Sequence, residues 1–239
     1  MAKLSDLISC TSEVTGVPFA TVQEVGRRLR EGRLIQTGKG GRYGGADMTP
    51  EDAASLLTAL LIVRASSVSL NQIVRLTRSH LRDCRSYSPS QGDRLSFDGW
   101  SQKLALPQLC RLRKGHTFGD SLAALLRSIA EGDLERAIAH WASARAHGTP
   151  HYFQLAVKII GPRPYSEARI EFDAAALKET LLYLKPSDVK RFGIFQPKPP
   201  RKLRDLPDEP PGVDLMVSAS VQEDTLTAIG RVLARGAED

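Results

Sequence analysis

The sequence predicts an α+β protein with an N-terminal winged helix-turn-helix domain and a C-terminal α+β domain. Three observations lead to this prediction. The first third of the chain spaces its apolar residues in helical patterns around a glycine-containing turn. Residues 34–47, LIQTGKGGRYGGAD, are rich in glycine and basic residues. The second half combines helical apolar stripes with segments of strand character.

The composition is that of a globular protein that can accept an acidic partner. The 239 residues include 33 Lys+Arg and 27 Asp+Glu, which gives a formal net charge of +6. Three scattered cysteines do not suit a disulfide framework and favour a reducing compartment. The N-terminus lacks an apolar core of signal-peptide length, and no apolar run approaches the roughly 20 residues that span a bilayer. We therefore expect a cytoplasmic protein with no membrane partner.

The first two helices follow from apolar spacing and from glycine punctuation. A helix is predicted from residue 4 to about Thr15, and Gly16 ends it. A second helix is predicted from about Pro18 to Glu31, and Gly32 suits its C-terminal cap. These two helices are joined by a short turn.

The segment after the second helix is predicted to be a short strand at 34–36, the glycine-rich loop, and then a third helix. Thr49, Pro50 and Asp52 mark the start of that helix as N-cap, first helical residue and reciprocal cap. A fourth helix is predicted over 66–85. The third helix is predicted to bury Ala53, Leu56, Leu57, Leu60 and Leu61.

The predicted DNA-binding domain covers 1–85, a polar linker covers 86–102, and an α+β dimerisation or partner-binding domain covers 103–239. Residues 196–212 carry six prolines and cannot continue a helix or a central strand. The second domain is predicted to contain helical stripes over 118–129 and 134–141, strands over 152–160 and 168–172, a helix over 174–184, a strand over 215–221 and a helix over 223–235. The stripe over 118–129 suits either a core or a dimer interface.

The window TSEVTGVPFATVQEVGRRLREGRL meets the requirements of a helix-turn-helix. Such a motif needs a small residue where the helices meet, a glycine at the turn, and apolar residues after the turn and on the inner face of the second helix. Ser12 supplies the small residue and Gly16 the turn. Val17, Val22 and Val25 supply the apolar positions.

The outward face of the second helix has the residue types that contact DNA. Arg can bond guanine edges, Gln can read adenine, and flanking arginines can hold phosphates. Between residues 27 and 42, six basic residues stand against one acidic residue. We expect base contacts from Gln23, Glu24 and Arg27 with Ala20 and Thr21 close by, backbone contacts from Arg28, Arg30 and Arg33, and wing contacts from Lys39, Arg42 and Tyr43.

This window resembles the helix-turn-helix of winged-helix bacterial regulators. Together with the glycine-rich loop and the following TPED helix, it resembles small DNA-binding proteins of proteobacterial prophages and gene transfer agents. The resemblance covers the first quarter to third of the chain. It implies a sequence-specific transcriptional regulator that binds double-stranded DNA and controls a prophage or gene-transfer-agent gene cluster. We expect a homodimer on a palindromic site from how such domains gain affinity. Thr11 and Thr15 depart from it, since they occupy positions that are usually apolar.

Other functions are weighed against this one. A phage DNA-packaging component like a small terminase subunit, or an adaptor that binds RNA polymerase, would also carry such a motif. An enzyme acting on nucleic acid ranks third, and we predict no catalytic residue, metal or cofactor. Lys39 is followed by Gly40 and Gly41 rather than by Ser or Thr at a helix start, so the loop does not suit a nucleotide P-loop. His80, Cys84, Cys110 and His116 could close a tetrahedral zinc site, but their pairs lack the tight C-x2-C spacing, and a place in the core is the favoured interpretation.

Overall fold

A layer of helices covers one face of a five-stranded sheet in the computed structural model. The model describes residues 2–38, 46–65, 69–87, 100, 102–143, 153–160, 167–174, 177–187 and 218–235. The helices there are α1 (Leu4–Thr15), α2 (Phe19–Glu31), α3 (Pro50–Ala65), α4 (Leu70–Asp83), α5 (Pro107–Cys110), α6 (Phe118–Ala130), α7 (Asp133–Ser143) and α8 (Glu223–Arg235). The strands are β1 (Arg85–Tyr87), β2 (Phe153–Ile160), β3 (Glu167–Ala174), β4 (Leu177–Leu184) and β5 (Ser218–Gln222). The α+β class is as predicted.

The sheet has the strand order β1-β4-β3-β2-β5, and every neighbouring pair is antiparallel. Val157 of β2 lies opposite Ile170 of β3, which fixes the register of the central pair. Because side chains alternate along a strand, one face of the sheet collects the apolar residues. These buried residues are Leu155, Val157, Ile159, Ala168, Ile170, Phe172, Leu181, Tyr183, Ala219 and Val221.

Helix α3 lies at the centre of the helical layer. It contacts α2, α4 and α6 as well as strands β2 and β5. All five residues that the sequence predicts to be buried are buried, and Thr58, Ala59 and Ile62 on other sides of the helix are buried too. Helix α3 therefore packs on nearly all sides rather than on one face.

The two predicted domains share one hydrophobic cluster in the described part of the chain. Helix α1 packs on α8, and α3 packs on α6. Strand β1, which follows α4 directly, pairs with β4. Residues 88–99 of the predicted linker and all of the proline-rich 196–212 lie outside the described residues.

A buried hydrogen-bond network ties the sheet to α6. The Tyr183 hydroxyl of β4 donates to Ser121 Oγ of α6 at 2.7 Å, and Trp100 Nε1 donates to the same oxygen at 2.9 Å. His116 Nε2 lies 3.2 Å from the Tyr183 hydroxyl. Burial raises the pKa of Tyr183, so its hydroxyl stays protonated and serves as a structural donor.

Several predicted elements are confirmed. Helices α1, α2 and α8 lie where apolar spacing places them, and the stripe over 118–129 is buried in the core as α6. Thr49 and Asp52 form the predicted reciprocal cap of α3, with Asp52 N donating to Thr49 Oγ1 at 3.2 Å and Thr49 N donating to Asp52 Oδ2 at 2.9 Å.

Two predicted elements are wrong. The helix expected over 174–184 is strand β4, because pairing with β3 and β1 overrides the helix preference of its Ala, Leu, Lys and Glu residues. Residues 34–36 are not a strand; instead Gln36 N donates to the Asp52 carboxylate at 2.9 Å, so a side chain satisfies the donor that a strand would have paired.

The predicted wing lies largely outside the described residues, which omit 39–45. On its two sides, residues 34–38 and 46–49 contain no strand, although Asp47 forms an isolated bridge with Lys3. The winged form of the helix-turn-helix stays a prediction.

Candidate nucleic-acid interface

A tight turn joins α1 to α2. Gly16 has φ 66°, a left-handed conformation that glycine adopts without a steric penalty, and it ends α1. Ser12 Oγ donates to the carbonyl of Val17 at 2.8 Å, so the small residue of the motif secures the turn. Thr11 and Thr15 each donate from the side chain to the carbonyl four residues earlier, at 2.6 Å. These bonds satisfy both hydroxyls at positions that are usually apolar.

The inner face of α2 is the predicted one. Val22, Val25, Gly26 and Leu29 are all buried, and the helix contacts α1, α3 and α4 on that side. The described site residues are placed as follows: Ala20, Gln23, Arg27, Arg30 and Arg33 are exposed, whereas Thr21, Glu24 and Arg28 are half-buried. Lys39, Arg42 and Tyr43 lie outside the described residues.

Glu24 holds the two arginines that follow it on the helix. Arg27 donates to both oxygens of this carboxylate, from Nε at 2.8 Å and from Nη2 at 2.6 Å, and Arg28 Nε donates to Oε1 at 2.8 Å. Arg27 also forms an ion pair with Glu31. These bonds lower the pKa of Glu24 to about 2 and raise the pKa of Arg27. Arg27 must therefore release two carboxylates before it can bond a base.

Arg30 and Arg33 form no ion pair with any carboxylate in the described part of the chain. Arg33 follows the end of α2 with φ 56°, in the left-handed region. The bonds Arg33 N to Arg30 O at 3.0 Å and Leu34 N to Leu29 O at 2.8 Å close the helix in a Schellman arrangement. Both guanidinium groups are thus exposed and available at the C-terminal end of α2.

Helix α4 extends this basic surface, which sequence reasoning missed. Arg75 and Arg78 lie on its exposed side, and Arg78 Nη2 donates to the Gly32 carbonyl at the end of α2 at 2.8 Å. These arginines are three residues apart and lie opposite the buried positions Ile73 and Thr77, so helical spacing in the sequence could have placed them on the exposed side. We define the basic face as the exposed arginines of α2 together with Arg75 and Arg78.

Phe19 is a second residue that sequence reasoning missed. It begins α2, and 49% of its surface is exposed, although it is a large apolar side chain. The sequence shows it only as the residue after Pro18. An exposed aromatic residue at the first turn of such a helix can contact the methyl group of thymine.

Other candidate chemistry is not brought together. No group of three His, Cys, Asp or Glu residues among those described is placed to hold a metal ion. The carboxylates that alternate along β3 are paired: Glu167 with Arg169, Glu171 with Lys158 at 2.5 Å, and Asp173 with Lys178 at 3.4 Å.

Within the described residues, every helix is too short or too polar to cross a membrane. Comparison with known proteins gives no further guide to the basic face. The chain matches no protein-family model, no curated protein and no solved structure.

Proposed function

We propose that the chain binds double-stranded DNA through α2 and acts as a transcriptional regulator. The observation that supports this proposal is the arrangement of α2 itself. It follows a tight glycine turn, buries one apolar face, and exposes the opposite face with its arginines. A helix presented in this way fits the width of the DNA major groove.

The expected DNA contacts of α2 depend on which of its side chains already form ion pairs within the helix. The first turns expose Phe19, Ala20 and Gln23, which suit contacts with base edges. Arg30 and Arg33 carry free positive charge and suit phosphates. Arg27 and Arg28 are held by Glu24, so they engage DNA only when phosphates or bases compete with that carboxylate.

Helix α4 adds to the same surface. Arg78 is fixed against the end of α2, and Arg75 lies one turn away on the same side. Phosphates beside the groove that receives α2 would meet these side chains. The proposal includes a homodimer on a palindromic site, because paired half-sites are how single helix-turn-helix units gain affinity.

A salt titration tests the electrostatic part of this proposal. We expect the affinity for genomic duplex fragments to fall with salt, with a log–log slope of roughly −0.9 for each phosphate contact. Arg30→Gln should weaken binding to all sequences by about three- to tenfold at low salt and reduce the slope by about one. Arg231→Gln on the exposed side of α8 removes the same charge and should leave binding unchanged. Binding that is absent or insensitive to salt contradicts the proposal.

DNA immunoprecipitation with sequencing and light scattering test the regulatory part. A few sharp peaks at promoters, with a dimer in solution, support a regulator. A single peak beside a packaging site, with a ring of many subunits, would instead support a packaging component. Peaks that require RNA polymerase and disappear without it would support an adaptor.

A further inference from the structure

The molecule has an arginine-rimmed cleft beside the basic face but distinct from α2. Its volume is about 750 Å³. The cleft lies between α3, the end of α4 and the first turns of α6, and the segment after α5 completes it. Ligand sites in proteins commonly have volumes of about 300 to 1,000 Å³, so a nucleotide-sized molecule fits. The arginines that line it are Arg33, Arg82, Arg85, Arg111 and Arg127.

The charge of this cleft is unbalanced. Two carboxylates also line it, and both are engaged: Glu51 accepts from Arg127 Nη2 at 2.6 Å, and Asp120 accepts from the Thr117 backbone N–H at 2.8 Å. Arg82 and Arg111 form no ion pair with a carboxylate within the described residues. The cleft therefore has five guanidinium groups against two carboxylates, and its net charge is positive.

The floor of the cleft is apolar and made of small side chains. Ala54, Ala123 and Ala124 are almost fully buried and line it. Gly119 lets α6 approach the end of α4, because a Cβ atom at that position would lie 2.8 Å from the Leu81 carbonyl oxygen. Small residues on α3 and α6 thus leave the depression that the arginines surround.

One rim residue has a strained backbone. Arg33, at φ 56°, occupies a position where glycine would relieve the strain. This conformation belongs to the Schellman cap that ends α2, so helix termination accounts for it. At this position the side chain of Arg33 lines the mouth of the cleft.

From this combination we propose that the cleft binds a phosphorylated small molecule of nucleotide size. A guanidinium group can donate two parallel hydrogen bonds to the oxygens of one phosphate. Arg82 and Arg111 on the rim are suited to such bonds. The apolar floor of small side chains suits the apolar face of a nucleotide base. The cleft and the proposed DNA-binding surface share Arg33, whereas Arg82 and Arg111 lie outside the basic face, so variants at those two residues test the cleft separately.

Titration calorimetry with ATP, GTP, pyrophosphate and citrate tests the site. We expect ATP or GTP to bind the full chain saturably, with a Kd of about 10 to 100 μM. Pyrophosphate should bind more weakly because it does not use the floor. The absence of saturable binding by ATP, GTP and pyrophosphate overturns the proposal. Equal or tighter binding of citrate overturns the assignment to phosphate.

Matched variants locate the binding. Arg82→Gln and Arg111→Gln should each weaken nucleotide binding by about tenfold, which corresponds to the loss of a charge-assisted pair. Arg113→Gln removes an exposed charge two residues from Arg111 but outside the cleft, and it should change the affinity less than twofold. An equal loss in Arg113→Gln would show that binding is only diffuse attraction, which overturns the site.

Two further measurements keep the test independent of variant folding and of DNA binding. In the unsubstituted chain, ATP should shift the methyl resonances of Ala123 and Ala124; shifts confined to other regions overturn the site. Arg82→Gln and Arg111→Gln should retain DNA affinity. If they lose DNA affinity in parallel, and a short duplex displaces ATP, the cleft belongs to the DNA path and the proposal fails.

Discussion

Helices α2 and α3 are neighbours in the chain and contact each other, yet they differ in how much of their surface is buried. Helix α2 buries one face and exposes charged groups on the other, whereas Glu51 and Arg64 are the only residues of α3 that are exposed. Helix α3 contributes buried contacts to the hydrophobic core, whereas α2 contributes an exposed, charged surface. Substitutions in the buried part of α3 should therefore lower the free energy of unfolding more than substitutions on the exposed face of α2. For DNA affinity we expect the reverse order.

The largest effect on stability should come from truncating α3. Leu57 is 1% exposed and lies in the common hydrophobic cluster. Leu57→Ala removes apolar contacts and leaves a cavity, so we expect the free energy of unfolding to fall by about 2 to 5 kcal/mol. Denaturant unfolding measures this change. Gln23→Ala on the exposed face of α2 is the control and should change stability by less than about 0.5 kcal/mol. Similar losses at both positions would refute the contrast.

A smaller loss should follow at the junction between the two helices. The Asp52 carboxylate accepts hydrogen bonds from Gln36 N, Thr49 N and Thr49 Oγ1, each at 2.9 Å, and the residue is 3% exposed. Asp52→Ala leaves these donors without their partner, and we expect a loss of about 2 to 3 kcal/mol in unfolding experiments.

The matched control is Asp120→Ala, which removes the same kind of cap at the exposed start of α6. Because water can replace the lost bond there, we expect only about 1 kcal/mol. An equal loss at the two caps would mean that Asp52 acts as an ordinary helix cap and does not fix the end of α2 to the start of α3.

The sequence allowed the amphipathic elements to be predicted, and the reason is local. Val22, Val25 and Leu29 recur at helical spacing, and Thr49 and Asp52 are three residues apart, so both patterns are visible without a fold. Strand β4 was not predictable in this way, because it pairs with β3, which precedes it in the chain, and with β1, which is about 90 residues away. The approach of β1 to β4 depends on the whole fold.

The site was predictable in part for the same reason. The exposed face of α2 follows from spacing. The pairing of Glu24 with Arg27 and Arg28 also follows from spacings of three and four residues. The hypothesis instead assigned Glu24 and Arg27 to bases and Arg28 to the DNA backbone, without pairing them to one another. The cleft could not be predicted, because Arg82 and Arg111 meet there only through the packing of α4, α5 and α6.

Acid should weaken the packing of α4 beside α3. His80 is 3% exposed; its Nδ1 lies 2.9 Å from the Leu76 carbonyl oxygen, and its Nε2 has no hydrogen-bond partner among the described residues. Burial lowers the pKa of His80 below its usual 6.5. Between the two pKa values the unfolded chain binds a proton that the folded chain does not. Stability from this group is therefore complete above pH 6.5 and falls as the pH decreases, by at most about 1.4 kcal/mol per pH unit.

Urea midpoints measured on both sides of pH 6.5 test this dependence. His116 is also buried with a lowered pKa and contributes with the same sign. His80→Leu should make the decline with acid shallower, and the remaining slope should belong to His116. A decline that is unchanged in His80→Leu would show that His80 is not the titrating group.

The smallest effect on stability, and an informative one for binding, should come from Glu24. Because surface ion pairs contribute little to stability, Glu24→Gln should leave the midpoint of urea unfolding nearly unchanged. The substitution removes the ion pairs of Glu24 with Arg27 and Arg28, leaves Arg27 paired with Glu31, and removes a negative charge from the basic face. We expect binding to all duplex sequences to tighten by about three- to tenfold at low salt. Because the pKa of Glu24 is about 2, acidification above pH 4 cannot mimic this substitution.

The opposite result would also be specific. If Glu24 accepts a hydrogen bond from a cytosine amino group, Glu24→Gln weakens binding only to sites that carry that cytosine. Glu31→Gln separates the two roles, because Glu31 lies at the last turn of α2 and, among the described residues, forms its ion pair with Arg27 and no other residue. Tightening in both variants identifies the carboxylates as restraints on Arg27. Sequence-dependent weakening in Glu24→Gln alone identifies Glu24 as a base-contacting residue. Base contacts would then come from the middle of α2 as well as from its first turn.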